Sequence, residues 1–180
     1  MEREALLIVD MSNDFVADNG TLTVGKPAQQ VVPYIKKLAT NFLAEGNVVV
    51  VTMDAHQPDD PHFISWTPHN IVGTAGQQLY GDLYHWFQHN KDSENLIYMP
   101  KTNYNAFFNT DLAEALRRLE VEKAHIVGVC TDICVFLTAA GADAEGFKTV
   151  IHNRGVATFT DLGETMVNHM KLCFHTEVID

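Results

Sequence analysis

Short continuous apolar runs alternate along this chain with longer stretches in which apolar residues recur every three or four positions. Residues 5–9 (ALLIV) run into Asp10, and residues 48–53 (VVVVTM) run into Asp54. Uninterrupted runs of this length read as parallel strands covered on both faces. Residues 96–99 and 125–129 predict two more strands, and residues 149–152 and 177–179 two shorter ones. Between them, residues 27–44 carry Val31, Ile35, Leu38 and Phe42 at helical spacing, with Pro27 in the first turn and Gly46 just past the end. Thr110 is placed to cap a helix through Leu119, whose apolar face is Leu112, Ala115, Leu116 and Leu119. Residues 133–144 and 164–172 complete the helices. Strand followed by helix, repeated, predicts an α/β domain with a parallel sheet.

Such sheets bind ligands just beyond the carboxyl ends of their strands. Asp10, Asp54, Lys101 and the segment from Cys130 to Cys134 all follow directly on predicted strands, so all fall on that edge. Residues 55–80, rich in His, Pro, Asp and Gly, form the one long irregular stretch, and loops of that length in compact domains are usually functional or disordered.

Composition narrows the classes. At 180 residues the chain fits one domain, 1–180, able to bury a core without covalent staples. No apolar run approaches the roughly 20 residues of a membrane span, and the first residues, MEREALLIVD, show no signal peptide, which predicts a cytoplasmic protein with no membrane partner. The net charge of -11, with 12 scattered basic residues, argues against nucleic acid. Three cysteines, an odd number, make a disulfide framework a poor explanation for any of them.

In GVCTDICVF, Gly128 to Phe136, the two cysteines could be a metal pair, a disulfide, two buried thiols, or one nucleophile with a bystander. Cys134 falls in the first turn of a predicted helix, where free N–H groups and the positive dipole end favour a thiolate. A cysteine taken alone is more often inert buried filler, and Cys173 is assigned to that category. A nucleophilic thiol needs a base and a cation, and the strand ends supply Asp10 and Lys101; singly, such residues commonly close turns or sit in solvent.

A second cluster, DAHQPDDPHFISWTPH, holds Asp54, His56, His62 and His69. Three imidazoles and a carboxylate suit a single zinc, iron or manganese ion, and Asp54 and His56, two apart in extended chain, share a face. The histidines at 85, 89, 125, 152, 169 and 175 show no clustering with acids and read as structural or surface residues.

Taken together, ALLIVDMSNDFVADNGTL, VVTMDAH with HF and WTPHNIVGTAG after it, KTNYNAF and GVCTDICVFLTAAGA resemble the nicotinamidases, or pyrazinamidases, of the isochorismatase-like cysteine hydrolase superfamily. The resemblance covers about residues 5–155. It implies a three-layer α/β/α fold with a central, mostly parallel sheet. It further implies hydrolysis of nicotinamide to nicotinate and ammonia, a step of NAD salvage, with Cys134 as nucleophile, Asp10 as general acid/base and Lys101 as its cationic partner. Asp54, His56 and His69 match metal ligands, and His62 is assigned as the fourth; the ion implied is zinc, with iron or manganese as alternatives. Phe15, Leu22, Trp66 and Tyr104 match the walls around a substrate ring. The Val129–Cys130 peptide matches one that is cis, aiming the Cys130 N–H into an oxyanion hole shared with the Cys134 N–H. The loop between His56 and Trp66 is short, and Cys130 stands where alanine is frequent.

Isochorismatases proper lack the cysteine and carbamoyl-amide hydrolases lack this histidine cluster, so both absences favour a nicotinamidase. The alternatives are another small-amide hydrolase of the superfamily, and a thiol redox sensor or metal-binding module that would need both cysteines. The expected partner is a small aromatic amide, and the resemblance is compatible with a homo-oligomer.

Overall fold

The computed structural model describes residues 3–180. Six strands, β1 (Arg3–Val9), β2 (Val48–Asp54), β3 (Leu96–Lys101), β4 (Val121–Val129), β5 (Lys148–Ala157) and β6 (Glu177–Ile179), form one sheet in the order β3-β2-β1-β4-β5-β6. Every neighbouring pair is parallel. The absence of polar alternation in β1 follows from helices on both faces: Leu6 and Ile8 enter one core, while Ala5, Leu7 and Val9 enter the other.

Helices α1 (Asn13–Val16), α2 (Lys26–Ala44) and α3 (Asp82–Asn90) supply the first core, through residues such as Phe15, Ile35, Phe42 and Leu83. Helices α4 (Leu112–Arg118), α5 (Phe136–Ala144) and α6 (Gly163–Cys173) supply the second, through Leu116, Ala139 and Met170. The result is the three-layer α/β/α arrangement implied by the sequence. No helix among the described residues is long and apolar enough to cross a membrane.

The chain runs from β1 outward through β2 to β3, then returns to place β4 on the other side of β1. Parallel sheets open a crevice where the strand order reverses in this way. Here it opens between the ends of β1 and β4, the strands that lead into Asp10 and Cys130. Beside it Gly128 pairs with Val9 at a φ of 116°. A Cβ on Gly128 would strike the Val9 carbonyl oxygen, so this approach of β4 to β1 requires glycine.

Several elements differ from expectation. Helix α3 was not predicted: its apolar residues Leu83, Trp86 and Phe87 are embedded among His, Gln, Asn and Asp, which dilutes the helical period. Helix α4 begins at Leu112 with Asp111 at its cap, and Thr110 instead donates to the Ala106 carbonyl at 2.6 Å and accepts the Leu112 N–H at 3.4 Å. The long irregular stretch after β2 contains a single 3-10 turn, Pro61–Ile64, and is stitched down by α1. The Asn13 and Asp14 N–H groups donate to Gln78 and Gly76, and an Asp14 carboxylate oxygen accepts the Asn70 N–H at 2.8 Å.

Two histidines taken as isolated structural or surface residues are neither isolated nor at the surface. His125 on β4 and His152 on β5 are buried beneath α2, with His125 Nδ1 and His152 Nε2 at 2.8 Å. The Tyr34 hydroxyl lies 2.8 Å from His152 Nδ1, and Glu4 Oε2 lies 3.1 Å from His125 Nε2. Tyr34 donating to His152 and His152 to His125 is consistent with both imidazoles neutral, with His125 Nε2 buried beside the Glu4 carboxylate but not hydrogen-bonded to it. Strand separation in the sequence, not chemistry, hid the pairing: Glu4, His125 and His152 come from β1, β4 and β5.

Candidate active site

Four strand-end residues meet at the crevice. Asp10 leaves β1 with a φ of 55°, its N–H bonded to the Thr52 carbonyl at 3.0 Å. One of its carboxylate oxygens accepts the Asp54 N–H at 2.8 Å and the other accepts from Lys101 Nζ at 2.7 Å. Lys101 closes β3 directly opposite Asp54 in the β2–β3 register and donates to the Asp54 carboxylate as well. The Cys134 sulfur and one carboxylate oxygen each of Asp10 and Asp54 lie within 4.8 Å of one another. Asp10, Asp54, Lys101 and Cys134 are all buried.

Burial and mutual charge set the ionisation of this group. Desolvation, reinforced by the Asp54 charge, lifts the Asp10 pKa to about 6 against the pull of Lys101. Desolvation also opposes ionisation of Asp54, but Lys101 and the nearby imidazoles outweigh it and hold that carboxyl well below its usual range. Lys101 is likewise penalised by burial, and its two carboxylate partners overcome this to keep it firmly protonated. Cys134 departs from the sequence expectation of a stabilised thiolate. Burial, with the charges of Asp10 and Asp54, pushes its pKa well above the usual thiol range despite Lys101, so the resting group is a neutral thiol.

The peptide between Val129 and Cys130 is cis. After it, Thr131–Val135 forms a π-helical turn that continues directly into α5, and the Cys130 carbonyl accepts the N–H groups of Ile133 and Val135, each at 3.1 Å. The sequence placed the start of this helix at residue 133; the wider turn starts two residues earlier and contains Cys134. Cys130 and Cys134 are buried and free of disulfides. Burial, then the Asp132 charge, pushes the Cys130 thiol up to about 12, against hydrogen bonds from the Thr158 side chain and the Phe159 backbone. Cys173 is also free but exposed, which removes it from the buried filler to which the sequence assigned it; its sulfur lies 3.4 Å from His169 Nε2, one helical turn earlier.

Beside this floor, one ring nitrogen each of His56, His62 and His69 lies within 4.8 Å of the others. Asp54 Oδ2 lies 3.8 Å from His56 Nε2 and 3.7 Å from His69 Nε2. The outer nitrogens are engaged elsewhere: His69 Nδ1 donates to the Thr67 carbonyl at 2.7 Å, and His56 Nδ1 meets the Asp60 carboxylate at 2.9 Å. Those bonds put the protons on Nδ1 and turn the Nε2 lone pairs towards the Asp54 carboxylate. His56 Nε2 is buried with no hydrogen-bond partner. Buried, unshared electron pairs facing a carboxylate require a cation or a proton between them, so this donor set fits a divalent metal ion. His62 stacks parallel to His56 with ring centroids 4.7 Å apart. Its pKa is lowered, chiefly by burial and then by its two imidazole neighbours, which keeps it neutral.

All four ring-wall residues line the same cavity, of about 440 Å³ including its mouth. Phe15 comes from α1, Leu22 from the turn after it, and Trp66 and Tyr104 from the loops after β2 and β3, with Trp66 Nε1 donating to the Tyr104 hydroxyl at 2.9 Å. Cys134, Asp54, His62 and His69 border the cavity too. The sequence missed the supports and part of the wall. Asp60 was readable as a carboxylate four residues after His56, whereas Thr67, which acts through its carbonyl, left no side-chain signal. Ile133 and Phe159 also line the cavity, and Phe159 gave no signal because it follows β5 by two residues in an otherwise polar segment.

This chain belongs to the isochorismatase domain family, which it matches over residues 4–180. It is 42% identical over 164 residues to the isochorismatase family protein PncA of Bacillus subtilis, covering 89% of this chain and 90% of that one. The crystal structure of the nicotinamidase/pyrazinamidase PncA from Bacillus subtilis superposes with a TM-score of 0.96 at 41% identity, over 99% of this chain and 100% of that one. The pyrazinamidase of Pyrococcus horikoshii, solved in complex with zinc, superposes at 0.87 with 27% identity, over 99% of each chain. Within the family the chain thus falls among the nicotinamidase/pyrazinamidase hydrolases.

Proposed function

We propose that this protein hydrolyses nicotinamide, or a closely related ring amide, to the acid and ammonia through a thioester on Cys134. The observation that carries this reading is Cys134 in the lining of an aromatic-walled cavity, with the Asp10 carboxylate within 4.8 Å of its sulfur and Lys101 bonded to Asp10 behind it. The relatives named nicotinamidase and pyrazinamidase support the choice of substrate, and the zinc complex of one of them supports a metal at the histidine cluster. Asp54, His56 and His69, with His62 as the fourth ligand, would hold that ion; zinc is the first choice, with iron or manganese as alternatives. When bound, it supplies a Lewis acid that anchors a ring nitrogen of the amide.

The chemistry belongs to the chain's own residues. Phe15, Trp66 and Tyr104 hold the ring and so spare the entropy of orienting the carboxamide over Cys134. The neutral Cys134 thiol gives its proton to a carboxylate oxygen of Asp10 as the sulfur attacks the carbonyl carbon. The C–O electron pair moves onto oxygen, and the backbone N–H groups of Cys130 and Cys134 donate to that oxyanion. Asp10 returns the proton to the amide nitrogen, the C–N bond breaks, and ammonia leaves a thioester. Asp10 then takes a proton from water, hydroxide adds to the thioester carbon, and the carboxylic acid leaves as the sulfur regains its proton. Lys101 holds Asp10 in place and keeps it anionic between turnovers.

Ammonia release from nicotinamide, pyrazinamide and a carbamoyl amide, assayed beside metal analysis of the same sample, tests this. The expected result is turnover of the two ring amides, lost on chelation and restored by added metal. Turnover of the carbamoyl amide alone, indifferent to chelator, would replace it with another amide hydrolase of the family.

A further inference from the structure

The segment that follows β5 carries a ring that the catalytic scheme does not use. Phe159 lines the cavity that holds Cys134, Trp66 and Tyr104, yet 56% of its surface is exposed. A side chain that is both cavity wall and solvent-exposed stands at the mouth. An unsupported loop would give such a ring no fixed position, but this one is bracketed. Asp132, inside the π-helical turn, accepts from the Thr158 hydroxyl on one carboxylate oxygen and from the Thr160 hydroxyl, at 2.7 Å, on the other. The residues on either side of Phe159 are thus fixed to one side chain. The same two hydroxyls shape the segment internally, accepting the N–H groups of Thr160 and Leu162. The turn that presents the Cys134 sulfur therefore also carries the fixings of the ring opposite it.

We propose that Phe159 is a specificity-determining wall at the mouth of the substrate cavity, and that Asp132 is a positioning residue that holds it there through Thr158 and Thr160. This rests on the amide-hydrolase reading above and adds to it the residue that closes the ring site from the solvent side. Each hydroxyl is held by its own charged oxygen. An asparagine keeps one acceptor oxygen but turns the other side into a donor and removes the charge, so one hydroxyl loses its acceptor and the bracket weakens. Contact with a ring in the cavity is made equally before and in the transition state, so its loss shows in KM and leaves kcat unchanged.

Steady-state kinetics on nicotinamide with the metal-loaded enzyme tests both parts. Phe159→Ala is expected to raise KM by roughly fivefold to tenfold, the order one aromatic contact supports, with kcat within about twofold of the starting enzyme. Phe159→Leu, which keeps apolar bulk on an exposed site, should recover part of that loss and controls for folding. Asp132→Asn should also raise KM, and the Phe159→Ala/Asp132→Asn double variant should be no worse in KM than Phe159→Ala alone, because the bracket then has nothing to hold. A KM indifferent to Phe159→Ala in an otherwise active enzyme overturns the wall. Additive losses, or a fall in kcat from Asp132→Asn, overturn the positioning role and assign Asp132 to the turn itself. A parent enzyme that releases no ammonia from any amide overturns the functional reading and this inference with it.

Discussion

Lowering the pH from 7 to 5 should destabilise this fold through the histidine pair beneath α2, and the structure supplies the size of the effect. Burial, then the adjacent His125, depresses the His152 pKa from 6.5 to about 4, with Glu4 acting weakly the other way. His125 is depressed too, chiefly by burial and by Lys123, although Glu4 and Glu177 oppose this. The remaining neighbours are the Tyr34 hydroxyl from α2, which is engaged with His152, and Arg154, which lies over the Tyr34 ring rather than on either imidazole. A histidine whose folded pKa is depressed takes its proton more readily when unfolded. Its stabilising contribution is therefore complete above about 6.5 and lost as pH falls towards 4. At about 1.4 kcal/mol per pH unit between those values, His152 alone accounts for about 2 kcal/mol of lost stability by pH 5. Urea unfolding of the parent and of His152→Gln at both pH values measures this. The variant starts from lower stability at pH 7 because a buried bond is replaced, but it should lose about 2 kcal/mol less than the parent on going to pH 5. If the two proteins lose stability in parallel, the row of neutral imidazoles is not the acid-sensitive element.

Cys134→Ala should abolish ammonia release while Cys130→Ala keeps most of kcat, since the first removes the attacking sulfur and the second leaves its backbone N–H in place; an inactive but folded Cys130→Ala protein contradicts the division of labour between them. Asp60→Ala should weaken zinc affinity roughly 10- to 100-fold, because His56 loses the carboxylate that fixes its proton on Nδ1. Competition with a chromogenic chelator reads that change directly, and an unchanged affinity would remove His56 from the ligand set.

The central strands were legible because β1, β2 and β4, buried on both faces, are written as nearly uninterrupted apolar runs, and they stop at Asp10, Asp54 and Cys130. Asp10, Asp54 and Lys101 were readable because they fall together at one sheet edge, although each alone could simply close a turn or sit in solvent. Their mutual arrangement was not readable, since the Asp54–Lys101 pairing depends on β2–β3 register and the order of strands in the sheet. The position of Cys134 in a first helical turn speaks only of the dipole, and burial, which outweighs it, is not written in the local sequence. Helix α3 escaped because Leu83, Trp86 and Phe87 alone carry its period. Supports that act through a backbone carbonyl, such as Thr67 for His69, have no side-chain identity to read. The Glu4–His125–His152 row was hidden by distance along the chain, although each member sits in a strand that was itself found.

The reversal of strand order between β1 and β4 divides the site into two populations with different freedom to vary. Asp10, Asp54 and Lys101 are anchored to neighbouring strands, and Cys134 to the turn that β4 feeds, so their spacing is inherited from the sheet. Leu22, Trp66, Tyr104 and Phe159 hang from four separate connections at the same edge, none of which carries a strand's register. A substitution in one connection is felt first by its own wall, and beyond it only through side-chain ties such as Trp66 to Tyr104 and Thr158 to Asp132, not through the sheet's register. The cavity can thereby change its shape through loops while the strand ends beneath it keep their spacing.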